Sequence, residues 1–425
     1  MRRTILHIRE LLPRGWTMSR IPGARVIRAL LLSFTAGAIA CDTNEPAATG
    51  LPDRLAEAAM SPSVIAEGRE IFRFDTFGNE TFWSDTAALH VKVNALRPID
   101  ALNVGLKIDG DALPAALRQQ LINGEVDLTS PSSPAVTVAL IGLNAVVGVK
   151  GQVENGVLVR LGITCALCHS TVDNSVIPSV GRRLDGWPNR DLNVGAIIAL
   201  SDALPDAPYN TWGAGMYDPR YNFNTDKPSI PVVLPPAFGL RHVRKETYTG
   251  DDVVSYWNAY VGITQMHGHG FFSDPRINVS VSNPPDLISD KLPALLAYQL
   301  SLDSPTPQEA TINAAAAARG KIVFKTVGGC ARCHLGTIYS DVNANKLHAP
   351  DEVGQNGDYA QRSVTKLYRT TPLRGLWNPP QLDGPYFHDG TATTLMAVVE
   401  HYVGHFNLSL TAQQKSDLVE YLKTL

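Results

Sequence analysis

Two five-residue stretches constrain this chain more than any other feature: Cys165-Ala166-Leu167-Cys168-His169 and Cys330-Ala331-Arg332-Cys333-His334. Each reads C-x-x-C-H. Two thiols one helical turn apart, followed at once by an imidazole, make the attachment signature of a c-type haem. Each thiol forms a thioether with one vinyl group, and the next residue lies under the ring plane, where its imidazole binds iron. A redox dithiol needs no following His, and a four-ligand zinc site needs a second ligand pair nearby. The spacing assigns Cys165, Cys168, Cys330 and Cys333 as attachment residues and His169 and His334 as proximal ligands. It predicts two covalently bound haem c groups.

The remaining cysteine, Cys41, is explained by an address. From Met18 onward, Arg20, Arg25 and Arg28 precede an apolar run from Ala29 to Phe34, and small residues lead to Ala38-Ile39-Ala40-Cys41. This reads as an export signal over residues 1–40. The last quartet resembles a bacterial lipobox, with Ala38 where Leu is commoner, and makes Cys41 the lipidated first residue of the mature chain. A plain cleavage site and an uncleaved anchor are the alternatives. The expectation is a periplasmic protein held to a membrane by a lipid anchor, which agrees with haem attachment outside the cytoplasm. The whole chain has a net charge of −3; losing residues 1–40 removes seven Arg and one Glu and leaves −9. An acidic body argues against nucleic acid and fits a small-molecule substrate or a basic redox partner.

The order of the chain implies a duplication. After a tether over residues 41–60, Ser61-Pro62 opens a helix containing Gly68-Arg69-Glu70-Ile71-Phe72, and Gly320-Lys321-Ile322-Val323-Phe324 repeats it. The second C-x-x-C-H begins six residues after its Phe, the first ninety-three residues after. The first unit, 61–305, therefore carries a long insertion at about 75–155, and the second unit runs over 306–425. Pro235-Pro236 leading to Gly239-Leu240-Arg241 finds a loose echo in Thr371-Pro372-Leu373-Arg374-Gly375. Apolar spacing predicts helices over Leu287–Leu302, with Pro293 as a kink, and over Ala310–Phe324. Thr411-Ala412-Gln413-Gln414 is a capping box that opens a last helix. Within the insertion, Asp111–Asn123 reads as a helix ending at Gly124, and Ala135–Val147 as a buried one.

At this point the sequence resembles the bacterial dihaem cytochrome c peroxidases and the related dihaem enzymes that mature methylamine dehydrogenase. The resemblance rests on the two motifs, on LPALLAYQLSL and AAAARGKIVFKTVGGCARCH, on Arg369-Thr370-Thr371-Pro372-Leu373-Arg374, and on Gly384-Pro385-Tyr386-Phe387-His388-Asp389-Gly390. It implies a mainly α fold of two cytochrome c-like haem domains, the first with the long insertion. The His334 haem would relay electrons, with a distal ligand from the helix Val398–Gly404: Tyr402 by alignment, with His401 as the neighbouring alternative. His388 would be a group hydrogen-bonded near the haem edge. Tyr248 stands where the peroxidases carry a Trp between the haems. Gln265 stands where they place a catalytic Glu, followed by His267 and His269 as candidate bases or ligands. Gln cannot shuttle a proton as a carboxylate does, which puts peroxide cleavage in question. Relatives often carry calcium between the domains, but no acidic cluster places one here.

The combined expectation is an exported dihaem cytochrome that passes electrons from a small redox protein to peroxide, oxygen or another small oxidant at the first haem. The alternatives are a pure electron carrier with both irons six-coordinate, and a dihaem oxygenase.

Overall fold

The computed structural model describes residues 60–204, 208–220, 229–377 and 384–425; the export segment, Cys41 and the rest of the tether before residue 60 lie outside them. Helix α1, Pro62–Phe74, starts where the Ser61 hydroxyl accepts a bond from the Val64 N–H, with Pro62 in the first turn. Helices α2, Ala115–Ile122, and α3, Pro134–Gly142, follow. The antiparallel pair β1, Val149–Glu154, and β2, Val157–Ile163, leads into Cys165. Helix α4, Val254–Tyr260, runs on as a wider turn over Val261–Gln265. A second hairpin, β3, Gly270–Asp274, and β4, Val279–Asn283, precedes α5, Leu292–Ser301. The chain closes with α6, Ala314–Lys325, α7, Leu395–His405, and α8, Ala412–Leu422. The fold is mainly α, with short two-stranded ribbons. Among the described residues no helix is long and apolar enough to cross a membrane.

Two helix crossings repeat each other closely. Where α1 meets α5, a Cβ on Gly68 would lie 1.9 Å from the Ala294 carbonyl oxygen and 2.7 Å from the Tyr298 Cβ. Where α6 meets α8, a Cβ on Gly320 would lie 1.9 Å from the Asp417 carbonyl oxygen and 2.9 Å from the Tyr421 Cβ. Only glycine allows the backbones that close. Beside each crossing an aromatic pair meets edge-on, Phe72 with Tyr298 at 5.5 Å and Phe324 with Tyr421 at 5.2 Å. Both phenylalanines are buried, each contributing about 1.5–3 kcal/mol. The G-x-x-I/V-F repeat of the sequence is therefore a packing motif, with α5 and α8 as matched partners.

The loop echo is also structural. Gly239 and Gly375 both take left-handed backbone, at φ +66° and +68°. Each packs on the residue preceding the other: a Cβ at Gly239 would strike Arg374, and one at Gly375 would meet Phe238.

Residues 83–161 share a core with residues that follow the first motif: Trp83, Leu89, Ile108, Leu140, Ile141 and Leu158 are buried together with Val180, Ile198, Tyr209 and Trp212. The expected boundary at Asn155 falls on the tip of the β1–β2 hairpin, where Asn155 and Gly156 both have positive φ. An Asn-Gly pair at such a two-residue turn is the usual hairpin signal, so residue 155 lies inside a hairpin. Pro293, expected as a kink, instead sits in the first turn of α5, where its missing N–H costs nothing. The capping box at Thr411 and Gln414 forms as expected, with both reciprocal bonds present.

Candidate functional site

The second C-x-x-C-H follows Gly329, whose φ of +65° turns the chain out of α6. The backbone then tightens, with the His334 N–H donating to the Cys330 carbonyl at 2.9 Å. The His334 Nδ1 lies 2.9 Å from the Tyr339 carbonyl oxygen. A carbonyl only accepts, so Nδ1 carries the proton and Nε2 keeps its lone pair, the state of an imidazole ready to bind metal. Cys330, Cys333 and His334 line a cavity of about 760 Å³, within the range of cofactor sites. Burial pushes the Cys330 thiol up to about 11, and Cys165 and Cys168 up to about 12. These are not the lowered values of a redox dithiol. Cys333, Asp341 and His348 come within 4.8 Å of one another. His348, however, is already taken by Asp341 at 3.1 Å and Glu352 at 2.8 Å. Two thiols, an imidazole of fixed tautomer and a cofactor-sized space fit a covalent haem.

The helix α7 supplies the far wall through Val398, Val399 and Tyr402. Burial pushes the Tyr402 phenol up to about 12, with the two motif thiols adding to the shift. His401, one residue earlier, turns away: its Nε2 lies 3.2 Å from both the Val353 carbonyl and the Gln355 amide. His388 also lines the cavity. Tyr368 gives its one hydroxyl proton to the Asn356 carbonyl at 2.6 Å, so the His388 Nε2, at 2.9 Å, donates to Tyr368. Tyr248 stands on the same cavity wall, its hydroxyl donating to the Val233 carbonyl at 3.0 Å. Arg190, Pro235 and Phe238 reach this wall from the first half of the chain.

At the first motif, Gly186 and Asn189 hold the backbone of the attachment turn, and Pro235 and Tyr217 act on its His and Cys side chains. The Gly186 N–H donates to the His169 carbonyl at 2.8 Å, and the Asn189 N–H to the Cys168 carbonyl at 2.9 Å. Burial holds His169 down at about 4, with the Pro235 carbonyl acting the other way. Its Nδ1 is buried without a hydrogen bond. Thr371, the counterpart of Pro235 in the loop echo, acts on His334 in the same sense. The Tyr217 phenol, raised by burial and then by Cys168, donates to the Gln265 Oε1 at 2.6 Å. The Gln265 amide nitrogen donates to the Thr264 hydroxyl at 3.1 Å, which donates in turn to the Tyr260 carbonyl at 2.7 Å. Gln265 therefore sits beside the first motif on the continuation of α4.

His267 and His269 make contacts on residues 77–86 and the loop before α5. The His267 ring stacks on Phe82 at 3.6 Å, and burial pushes it down to about 4. Both ring nitrogens of His269 are engaged, Nε2 with the Thr81 hydroxyl at 3.1 Å and Nδ1 with the Pro284 carbonyl at 3.0 Å. These contacts fasten residues 81–86 to the loop before α5. Sequence reasoning missed Tyr217, Arg190 and the two carbonyls; of these only the carbonyls had a signal, in the repeated loop.

No family model matches the chain. The methylamine utilization protein MauG of Methylorubrum extorquens is 26% identical over 280 residues, 62% of this chain and 72% of that protein. The chain is similar in sequence to the MauG proteins. The MauG of Methylophilus methylotrophus is 29% identical over 125 residues, 26% of this chain and 36% of that one. The cytochrome-c peroxidase IdrP1 of Pseudomonas sp. strain SCT is 27% identical over 151 residues, 25% of this chain and 39% of the relative. The MauG kinship agrees with the resemblance read from the motifs.

Proposed function

We propose that the chain is an exported, lipid-anchored dihaem c-type cytochrome that moves single electrons from a small redox protein to a small oxidant. Its peroxidase-like chemistry would take place at the His169 site. The observation that carries this is His334: its Nδ1 is bound to the Tyr339 carbonyl, and it stands with both thiols and Tyr402 on one cavity. The duplicated helix crossings and the burial of Cys165, Cys168 and His169 support a second such site in the first unit. The printed names of the relatives, MauG and a cytochrome-c peroxidase, point the same way.

When bound, the haems supply the one-electron chemistry. The chain's own residues set the terms on which it runs. His334 presents Nε2 because Nδ1 is held. Tyr402, on the same cavity, would offer a phenol as ligand in place of a thioether, which would lower the potential of such a site. At the first site Tyr217 donates to the Gln265 amide oxygen, so Gln265 has an N–H to give but cannot accept a proton as a carboxylate would. An oxidant bound there would meet an amide and no carboxylate base.

Gln265 also favours a second reading, a carrier with both sites closed to oxidant. Absorption and EPR spectra of the oxidised holoprotein separate the two. A high-spin component is expected, and peroxide should oxidise the reduced protein, faster in Gln265→Glu. Two low-spin haems with no response to peroxide would leave only the carrier.

A further inference from the structure

The cavity of the second motif holds unbalanced positive charge. Arg190, Arg332, Lys346, Arg369 and Arg374 line it, against Glu246, Asp341 and Glu352. The three carboxylates already have partners. Glu246 pairs with Arg369 at 2.9 Å, and Asp341 and Glu352 flank His348. Of the four cations left over, Arg332 and Lys346 are exposed to solvent and Arg190 and Arg374 are partly buried. Among the described residues, the Arg190 side chain makes one hydrogen bond, a 3.4 Å contact from Nη1 to the Pro385 carbonyl, and its buried Nε has none. No carboxylate acts on it; its titratable neighbours are the phenols of Tyr248 and Tyr386, which are neutral at ordinary pH. Arg374 leaves its buried Nη2 without a partner and shares the Glu246 charge with Arg369. Burial pushes Arg374 down to about 10.

A guanidinium holds its proton in any protein, so it cannot relieve its burial by becoming neutral. It needs an anion. Its planar fork of N–H donors suits a carboxylate above other anions. A haem attached through Cys330 and Cys333 brings two carboxylates, its propionates, into this cavity. We propose that Arg190 and Arg374 receive those two propionates, so that the second haem is held partly by a side chain of the first unit. The inference rests on the dihaem reading. It adds a coupling between the sites: Arg190 follows Asn189, whose N–H holds the Cys168 carbonyl of the first attachment turn. One dipeptide thus touches the backbone of one haem motif and the carboxylate of the other haem.

The test uses full-length holoprotein from a host competent in haem attachment, in Arg190→Gln, Arg190→Lys and Arg374→Gln. Intact mass gives the haem count, and spectroelectrochemical titration gives the potential of each haem. Removing a cation from a propionate disfavours the reduced, less positive haem. Each Gln variant should therefore shift the second haem at least tenfold toward the oxidised form at fixed poise, about 59 mV for one electron. Arg190→Lys should recover more than half of that shift. Loss of the second haem in Arg190→Gln with its retention in Arg190→Lys would also support the assignment. Two haems with the second potential moved less than twofold in both Gln variants would overturn it, as would equal haem loss in Gln and Lys. Fewer than two haems in the unsubstituted protein would instead sink the dihaem reading itself.

Discussion

Replacing Gly320 by Ala sets two effects of known sign against each other. In a helix interior the change is favourable by about 0.5–1 kcal/mol, because Ala loses less backbone freedom. At this position the added methyl would lie 1.9 Å from the Asp417 carbonyl oxygen and 2.5 Å from its carbon, where real contacts begin near 3.0 Å. The obstacle is backbone, which no rotamer change can clear. Helices α6 and α8 must separate by about 1 Å, loosening the Phe324–Tyr421 contact and the Arg319–Asp417 pair at 2.7 Å. Overpacking of this kind costs about 1–3 kcal/mol or more, so a net loss of about 2 kcal/mol is expected. Gly68→Ala should lose a similar amount, since its methyl meets the Ala294 carbonyl oxygen at the same 1.9 Å. Gly404→Ala is the control: in α7 a Cβ there meets nothing within 4 Å, and only the favourable effect remains. Thermal unfolding followed by far-ultraviolet circular dichroism measures all three. A Gly320→Ala protein as stable as Gly404→Ala would refute the close-crossing argument.

Two further outcomes follow from the same geometry. Tyr402→Phe should change the potential and absorption spectrum of the second haem while His401→Ala leaves both near those of the parent, because only Tyr402 lines the cavity; the reverse pattern would reassign the ligand. Asp274 is held down at about 2, chiefly by Arg276, and also accepts from Tyr256 at 2.7 Å. A depressed carboxylate stabilises the fold above its unfolded value near 4 and loses that effect as pH falls toward 2. Arg276 is about half exposed, so solvent screening discounts the contribution to about 1 kcal/mol. Asp274→Asn should therefore lower the urea midpoint at pH 7 but not at pH 2; an equal loss at both would argue for packing alone.

The parts of the fold that could be read in the sequence are those set by local chemistry. The two C-x-x-C-H turns, the Thr411 capping box and the G-x-x-I/V-F repeat each depend on residues within a few positions of one another. Tyr402 and His401 could not be separated that way. Adjacent helical residues differ by about 100° in direction, and only the surroundings of α7 decide which one faces inward. The β1–β2 hairpin has a sequence signal in Asn155-Gly156, between two short strands, that the apolar run before it masks. His267 and His269 resembled a working site by composition; their rings are committed to Phe82, Thr81 and Pro284, contacts that periodicity does not encode. Tyr217 and Gln265 lie 48 positions apart, and their bond exists only once the first site has closed.

The reciprocal seating of the Gly239 and Gly375 loops, each against the residue preceding the other, is how an isologous two-fold interface is built. Carried on one polypeptide, the two loops need not keep the same sequence so long as the seam between them still fits. A bulky side chain at either glycine would strain that shared seam, so a change in one loop is felt at its counterpart.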